Sequence, residues 1–542
     1  MKNFKFKRSL TLIAVSSLLS ITVVSIPTAA RAADPACTTA NFVTTCLGAT
    51  TDTAPYMLIT PANFNGTVYL YSHGYRPNVP IPLGIPAYGG YTVTNTPEPA
   101  PGGDPQIIGA LLAKGYGVMG SGFARQGWNA DSAIKTNVEL IEVFKKQYPK
   151  TTKVIAWGSS LGGFITQALA EKYPNLISAA APLCMASDIT PLMTVAGDAL
   201  WGIKTFFDST IKGGNYAAGP AGYAEAMGDL VKVFTAIGAM QAAIGANPTA
   251  PAWPATSTVP AALKAVPSRS ALVLIALMSG IPMQSAHFDS TSAPAGIPAA
   301  SALSFQLAIN PALAALENLA NAAALGVLAT YDLELQAGGS IFDNTATDYA
   351  ARVADEQFIW SSALSGNAGI GALLGYLAVV PRAKGNPAAM AKLASLGTHT
   401  GKVDIPTILF TATADPVTGP GNQQSVIDKY AAYSADKWAA TIKERGSKKP
   451  TNNQLALWSI PPEKYTKFTA TGSPNTAVAA APGTNHCNFT VAQHLAVADL
   501  LAYASSNGRN LSGGALLTKI RKAGNMTYDR GYIAPKMKYY GG

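Results

Sequence analysis

The chain is predicted to be an α/β protein, with a mostly parallel central sheet, helices on both faces and a large helical insertion between two halves of the sheet. Three observations predict this. Strand-like and helix-like segments alternate from residue 64 to 184, the alternation resumes from residue 400 to 515, and the block between them, 185–399, is rich in Ala, Leu, Gly and Pro. At 542 residues the chain is two or three times an ordinary domain, which suits one elaborated core with an insertion. A hydrophobic share of 48% with 13% charged residues excludes a disordered polyelectrolyte and permits a substantial buried core.

The elements follow in chain order. Lys2, Lys5, Lys7 and Arg8 precede an apolar run from Leu10 to Val24, and Ala30-Arg31-Ala32 offers small residues at the two positions a signal peptidase reads. Residues 1–32 are therefore expected to be a signal peptide cut after Ala32, which implies a secreted or periplasmic protein. A membrane anchor is the weaker reading, because the run is shorter than the roughly 20 apolar residues that span a bilayer. Five of the 39 Lys and Arg lie in that segment, so 34 face 29 Asp and Glu in the remainder. A balance that near neutrality supports no nucleic-acid partner. Cys37, Cys46, Cys184 and Cys487 make an even set, as expected of two disulfides in an oxidising compartment, with three pairings open. No CxxC or Cys/His spacing suggests a metal site, and no cofactor is implied.

The first half of the core is expected over 33–184. Thr67–Tyr71, Gly117–Ser121 and Val154–Trp157 read as strands, and Ile134, Val138 and Ile141 recur at helical spacing before Pro149 closes their segment. A glycine-bearing turn follows Trp157, then a helix to Tyr173-Pro174 and the apolar run Ala179–Leu183. The second half, 400–515, offers the strand Pro406–Phe410, a weaker one at Tyr465–Thr471 and a helix over Thr490–Ser506. Within the insertion, Val233–Leu263 and Ser290–Leu316 carry no charge, but prolines and polar residues are expected to interrupt both as membrane spans. The insertion reads as a helical lid or cap, and residues 516–542 as a basic tail.

The chemistry concentrates in Gly158-Ser159-Ser160-Leu161-Gly162, which fits G-x-S-x-G in one frame only and makes Ser160 the candidate nucleophile. Its position between a strand and a helix is where a nucleophile elbow belongs, and the helix N-terminus beside it favours negative charge. A serine hydroxyl needs a base, and the base needs an orienting acid. Of the five histidines, His486 sits in a loop before the final long helix, the place for the base, whereas His494 lies inside that helix and His287 and His399 lie in or beside the insertion. Asp415 follows strand Pro406–Phe410 at a C-terminal sheet edge, where such sheets bind ligands, and is the candidate acid. Asp404 precedes the strand, and Asp343 and Asp348 belong to the insertion.

With these residues in place the chain resembles the α/β-hydrolase superfamily, whose triad runs in the order Ser, acid, His, as Ser160, Asp415 and His486 do. The family places His-Gly after its third strand, matched here by Ser72-His73-Gly74-Tyr75. The resemblance then implies an oxyanion hole from the backbone N–H groups of Tyr75 and Leu161, with His73 anchoring the loop. More narrowly, His486-Cys487-Asn488-Phe489 resembles secreted bacterial serine esterases that carry a cysteine beside the catalytic histidine. Tannases and feruloyl esterases share the His-Cys pair but set a second cysteine directly before the nucleophile, where this chain has Ser159. The implied pairing is therefore Cys184–Cys487, with Cys37–Cys46 as a short N-terminal staple. The implied activity is hydrolysis of a small-molecule or polymeric carboxylic ester with a hydrophobic acyl or aryl group, without cofactor, nucleic acid or stable membrane anchor. The alternatives are a peptidase or amidase with the same triad, or a non-catalytic binding protein on this scaffold. The oligomeric state is left open.

Overall fold

The computed structural model describes residues 34–85, 88–445, 452–535 and 537. The expected signal peptide, 1–32, lies outside the described residues. Ten strands form one sheet among the described residues: β1 (Ala36–Ala40), β2 (Val43–Ala49), β3 (Pro55–Pro61), β4 (Thr67–Ser72), β5 (Gly117–Ser121), β6 (Lys153–Ser159), β7 (Ala179–Leu183), β8 (Thr407–Ala412), β9 (Gln454–Ser459) and β10 (Met526–Thr527). Their spatial order is β1-β2-β3-β5-β4-β6-β7-β8-β9-β10. The run from β5 through β4 to β9 is parallel, whereas β1–β3 and β10 join antiparallel. This strand order, with a serine elbow after β6, is that of the α/β-hydrolase fold.

Helices α1 (Pro105–Ala113), α2 (Ala130–Gln147) and α3 (Leu161–Lys172) connect the first strands. The insertion holds α4 (Ile189–Phe206), α5 (Gly219–Ala246), α6 (Ser268–Ser279), α7 (Ala299–Ser304), α8 (Asn310–Ala337), α9 (Tyr349–Val353), α10 (Gly366–Val379) and α11 (Pro387–Ser395). After β8 come α12 (Pro420–Arg445), α13 (Val491–Asn507) and α14 (Gly513–Ala523). The central strands are apolar on both faces. Val68, Leu70, Val154 and Ala156 pack with α2 and α3, while their neighbours Tyr69, Tyr71, Ile155 and Trp157 pack with α1, α13 and α14. This double burial is why these strands read as continuous apolar runs rather than alternating ones.

The insertion builds its own core, with Leu230 and Val233 of α5, Leu274 of α6 and Leu328 of α8 among its buried residues. Gly219–Ala246 and Ala299–Ala337 are long and apolar enough to cross a membrane by length and composition. The packing of α5 on α8 gives that apolarity a structural use. In the stretch Ser290–Leu316, Pro294 and Pro298 stand before the helix as expected, but Pro311 does not interrupt it. The helix runs unbroken from Ala299 to Ala337, and a π-helical stretch at Phe305–Ile309 precedes Pro311, relieving the clash its ring would make one turn back.

Three further features differ from what the sequence predicts. The meander β1–β3 was not anticipated. The strand after β8 is Gln454–Ser459, not Tyr465–Thr471, whose N–H groups at Tyr465 and Thr466 instead donate to the buried Asp289 carboxylate in the insertion. Lastly, the described residues of the segment read as a basic tail fold back on the core as far as Ala534. α14 packs on α13, β10 closes the sheet edge against β9, and the Ala534 N–H donates to the Gln424 side chain of α12.

Candidate active site

Ser160 stands in the tight turn between β6 and α3 with φ 60° and ψ −120°. That backbone conformation is costly for a residue with a side chain, and two glycines permit it. A Cβ at Gly162 would fall 1.9 Å from the Ser72 carbonyl oxygen, and one at Gly158 would fall 2.4 Å from the Gly162 carbonyl oxygen. Only glycine lets β6, α3 and the end of β4 approach this closely. The turn is fixed by the Ser160 N–H donating to Leu183 O at the end of β7.

The structure brings the three sequence-chosen side chains together. His486 Nε2 lies 2.9 Å from Ser160 Oγ, and His486 Nδ1 lies 2.9 Å from Asp415 Oδ2 and 3.1 Å from Oδ1. With Nδ1–H donating to the carboxylate, Nε2 is left to accept from the serine hydroxyl. Asp415 is fully buried just after β8 and also accepts from the N–H groups of Val417 and Thr418 at 2.8 and 2.9 Å. Burial by itself would raise its carboxyl; the His486 ring and these donors outweigh that and hold it below the usual carboxylate range.

Cys184 and Cys487 are joined, with 5.4 Å between their Cα atoms, tying the end of β7 to the residue after His486. Thr418, which the sequence did not single out, adds a second tie: its hydroxyl donates to the Cys184 carbonyl at 2.8 Å. Ser160, Cys184, Asn485 and Cys487 all have positive φ, a clustering of backbone strain at one spot. Cys37 and Cys46 are joined as well, across the β1–β2 pair. Donor atoms of Asp415, His486 and Cys487 fall within 4.8 Å of one another, as in a metal site. The sulfur, however, is bonded to Cys184 and both imidazole nitrogens face Ser160 or Asp415.

Tyr75 and Leu161 flank Ser160. A Cβ on Gly74 would lie 3.3 Å from Ser160 Cβ, so the loop carrying Tyr75 touches the serine, and Leu161 follows it at the first position of α3. Among the described residues neither backbone N–H has a hydrogen-bond acceptor. His73 anchors this loop: its Nδ1 is 2.7 Å from Gly74 O and its ring packs 4.6 Å from that of Phe123. His494 packs edge-on to Trp157 and Phe489, His287 pairs with Glu317, and His399 lies against Phe164 beside Glu171.

Burial pulls His73 and His494 down from 6.5 to about 4. The unfolded chain takes up these protons near the ordinary histidine value while the native state refuses them to about 4, so the unfolded state binds more protons throughout that window. Stability is then full above the ordinary value and declines as pH falls toward 4, by about 1–2 kcal/mol for each histidine between pH 7 and 5. Urea midpoints at the two pH values check this; an equal or higher midpoint at pH 5 would contradict it.

A cavity of about 70 Å³ adjoins the acid loop. Its wall is almost wholly apolar, with Met193 and Ala196 of α4, Leu319 and Gly326 of α8, and Pro416 and Val417 immediately after Asp415.

No family model and no curated protein matches the chain. Among solved structures it is similar to feruloyl esterase B from Aspergillus oryzae, at 10% identity and a TM-score of 0.31 over 77% of this chain and 72% of that one. A rice cell wall degrading esterase from Xanthomonas oryzae is similar at 14% identity and a TM-score of 0.29, over 77% and 82% of the two chains. The match to an esterase from Pyrococcus furiosus, at 12% identity and a TM-score of 0.22, covers 31% of this chain and 60% of that one. Likeness at these TM-scores carries no weight, and the fold rests on the strand order and the elbow.

Proposed function

We propose that the protein is an exported serine hydrolase of carboxylic esters that bear a hydrophobic acyl or aryl group. The observation that carries this reading is the unbroken relay from the Ser160 hydroxyl through His486 to the buried Asp415 carboxylate, with 2.9 Å at each step. Ser160 Oγ attacks the ester carbonyl as His486 Nε2 takes its proton, and the oxygen of the tetrahedral intermediate is met by the N–H groups of Tyr75 and Leu161. Collapse expels the alcohol, which receives the proton from His486, and leaves an acyl group on Ser160. Water then repeats the sequence and releases the acid. Asp415 holds the imidazole tautomer and stabilises its charged form.

The apolar cavity at Pro416 and Val417 supports a hydrophobic substrate group, since few polar atoms there would compete for it. Gly326 tests this directly. A Cβ at that position, on the wall of the cavity, meets only Ala196 Cβ, at an ordinary 3.8 Å, so a side chain starts there without a backbone clash. Gly326→Leu is expected to lower kcat/KM for long-chain p-nitrophenyl esters about 10- to 100-fold while sparing the acetyl ester, in line with the 1–3 kcal/mol that a methylene-sized change in an apolar pocket carries. Equal losses on every chain length would remove the cavity from substrate binding. Activity of the wild type on peptidyl p-nitroanilides exceeding that on all the esters would replace the esterase reading with a peptidase one.

A further inference from the structure

Helix α8 carries a carboxylate that its own packing does not require. Asp332 is buried, and its two oxygens collect four donors: the Trp128 N–H at 2.6 Å and the Tyr75 hydroxyl at 3.4 Å on Oδ2, and the side-chain amides of Asn78 at 2.7 Å and Gln336 at 3.0 Å on Oδ1. Burial works against its charge, and a hydrocarbon side chain would cost the helix nothing of the kind. An asparagine could not accept from all four, because half of its amide is itself a donor. The neighbouring backbone is shaped around this group as well: a Cβ at Gly127, where φ is 77°, would come within 2.5 Å of Asp332 Oδ2.

The four donors come from places that matter to the nucleophile. Tyr75 and Asn78 lie on the loop after β4, the loop that touches Ser160 through Gly74. Trp128 lies between β5 and α2 and packs edge-on against Phe164 of α3, the helix that begins at the elbow. The remaining contact is Gln336, one turn along α8, whose amide also reaches the Trp128 carbonyl. Tyr75 is thus held at both ends. Its neighbour Gly74 lies against Ser160, and among the described residues its own hydroxyl donates only to α8, at Asp332 or the Leu328 carbonyl, each at 3.4 Å.

We propose that Asp332 is a positioning residue that tethers the oxyanion loop to the insertion, aiming the Tyr75 N–H at the oxygen on which charge develops. The proposal rests on the serine-hydrolase reading above. It makes the insertion part of the site rather than only a cover: α8 adds a side-chain tether at residue 75 to the hold that His73 has on the preceding residue. Removing an oxyanion donor outright costs about 10² to 10³ in rate, so loosening one is expected to cost about 10- to 100-fold.

Asp332→Asn, Tyr75→Phe and the double variant are compared on a p-nitrophenyl ester, with rates expressed per site titrated by a serine-directed phosphonate. The expected result is a 10- to 100-fold lower kcat in each with KM within about twofold. Binding of an alkyl boronic acid, whose tetrahedral adduct presents an oxygen to the same N–H groups, should weaken by the same factor. The double variant should be no worse than Asp332→Asn, because the two act through one contact. Unchanged kcat per titrated site with only a lower Tm, or strictly additive losses, would overturn the tether. Tyr75→Phe removes a single hydroxyl and carries the test even if Asp332→Asn fails to fold. If Ser160→Ala hydrolyses the ester as well as the wild type, the serine reading falls and the tether with it; if Ser160→Ala is inactive while Tyr75→Phe is unchanged, the tether alone falls.

Discussion

Ser160→Ala is expected to lower kcat on a p-nitrophenyl ester by about 10⁶, the loss typical of deleting the nucleophile from such a relay. The substitution removes one oxygen and leaves the rest of the site standing. The elbow is fixed by backbone contacts to Leu183 and Ser72 rather than by the serine side chain. His486 keeps its bond to Asp415, and the N–H groups of Tyr75 and Leu161 remain. What persists should be the slow hydrolysis those groups support by binding and polarising the carbonyl. His486→Ala made in the Ser160→Ala background should therefore cost little more, because a base with nothing to deprotonate contributes nothing further. A drop of less than tenfold for Ser160→Ala, measured on protein freed of contaminating esterases, would remove this serine from the chemistry.

The second large effect is on stability. Cys184 and Cys487 are 303 residues apart, and the whole insertion lies inside the loop they close. In the chain-entropy model, opening a loop of that size costs roughly 6 kcal/mol, comparable to much of the net stability of an ordinary domain. Cys184→Ala/Cys487→Ala is accordingly expected to lower the urea midpoint sharply, whereas removing Cys37–Cys46, which closes a separation of only 9 on the exposed β1–β2 pair, should lower it far less. The larger loss should also reach the site. His486 sits between Asn485 and Cys487, both at positive φ, and the disulfide is one of the constraints that keep this strained loop in place. Activity per folded molecule should fall together with the midpoint. Equal midpoints for the two disulfide variants would show that the long crosslink does not constrain the unfolded chain.

Much of the site could be read without coordinates, and the reason is local. A strained serine between a strand and a helix demands small residues on either side, and that demand is written contiguously in Gly158–Gly162. Asp415 and His486 were legible because each follows a strand or precedes a helix whose apolar pattern marks it, and a parallel sheet sends every strand's C-terminal end to the same edge. The β8 run was clear for the same reason: buried on both faces, it is apolar without a break. β9 was missed although it is just as short and apolar. It has no motif at its end, and Tyr465–Thr471 has as good a strand composition; what excludes the latter is a buried carboxylate, Asp289, on a segment more than 170 residues away.

The amino-acid sequence by itself determined the elbow, the order of the three relay residues and the layered α/β core, because each depends on chemistry within a few residues of chain. The tertiary structure alone decided which strand continues the sheet beyond β8, that the C-terminal segment folds back to close its edge, and that Asp332 meets Tyr75 from a helix some 250 positions further along. Those outcomes turn on which distant groups satisfy a buried polar atom or cover an open edge. Many pairings are compatible with any one residue, and only the packed whole selects among them.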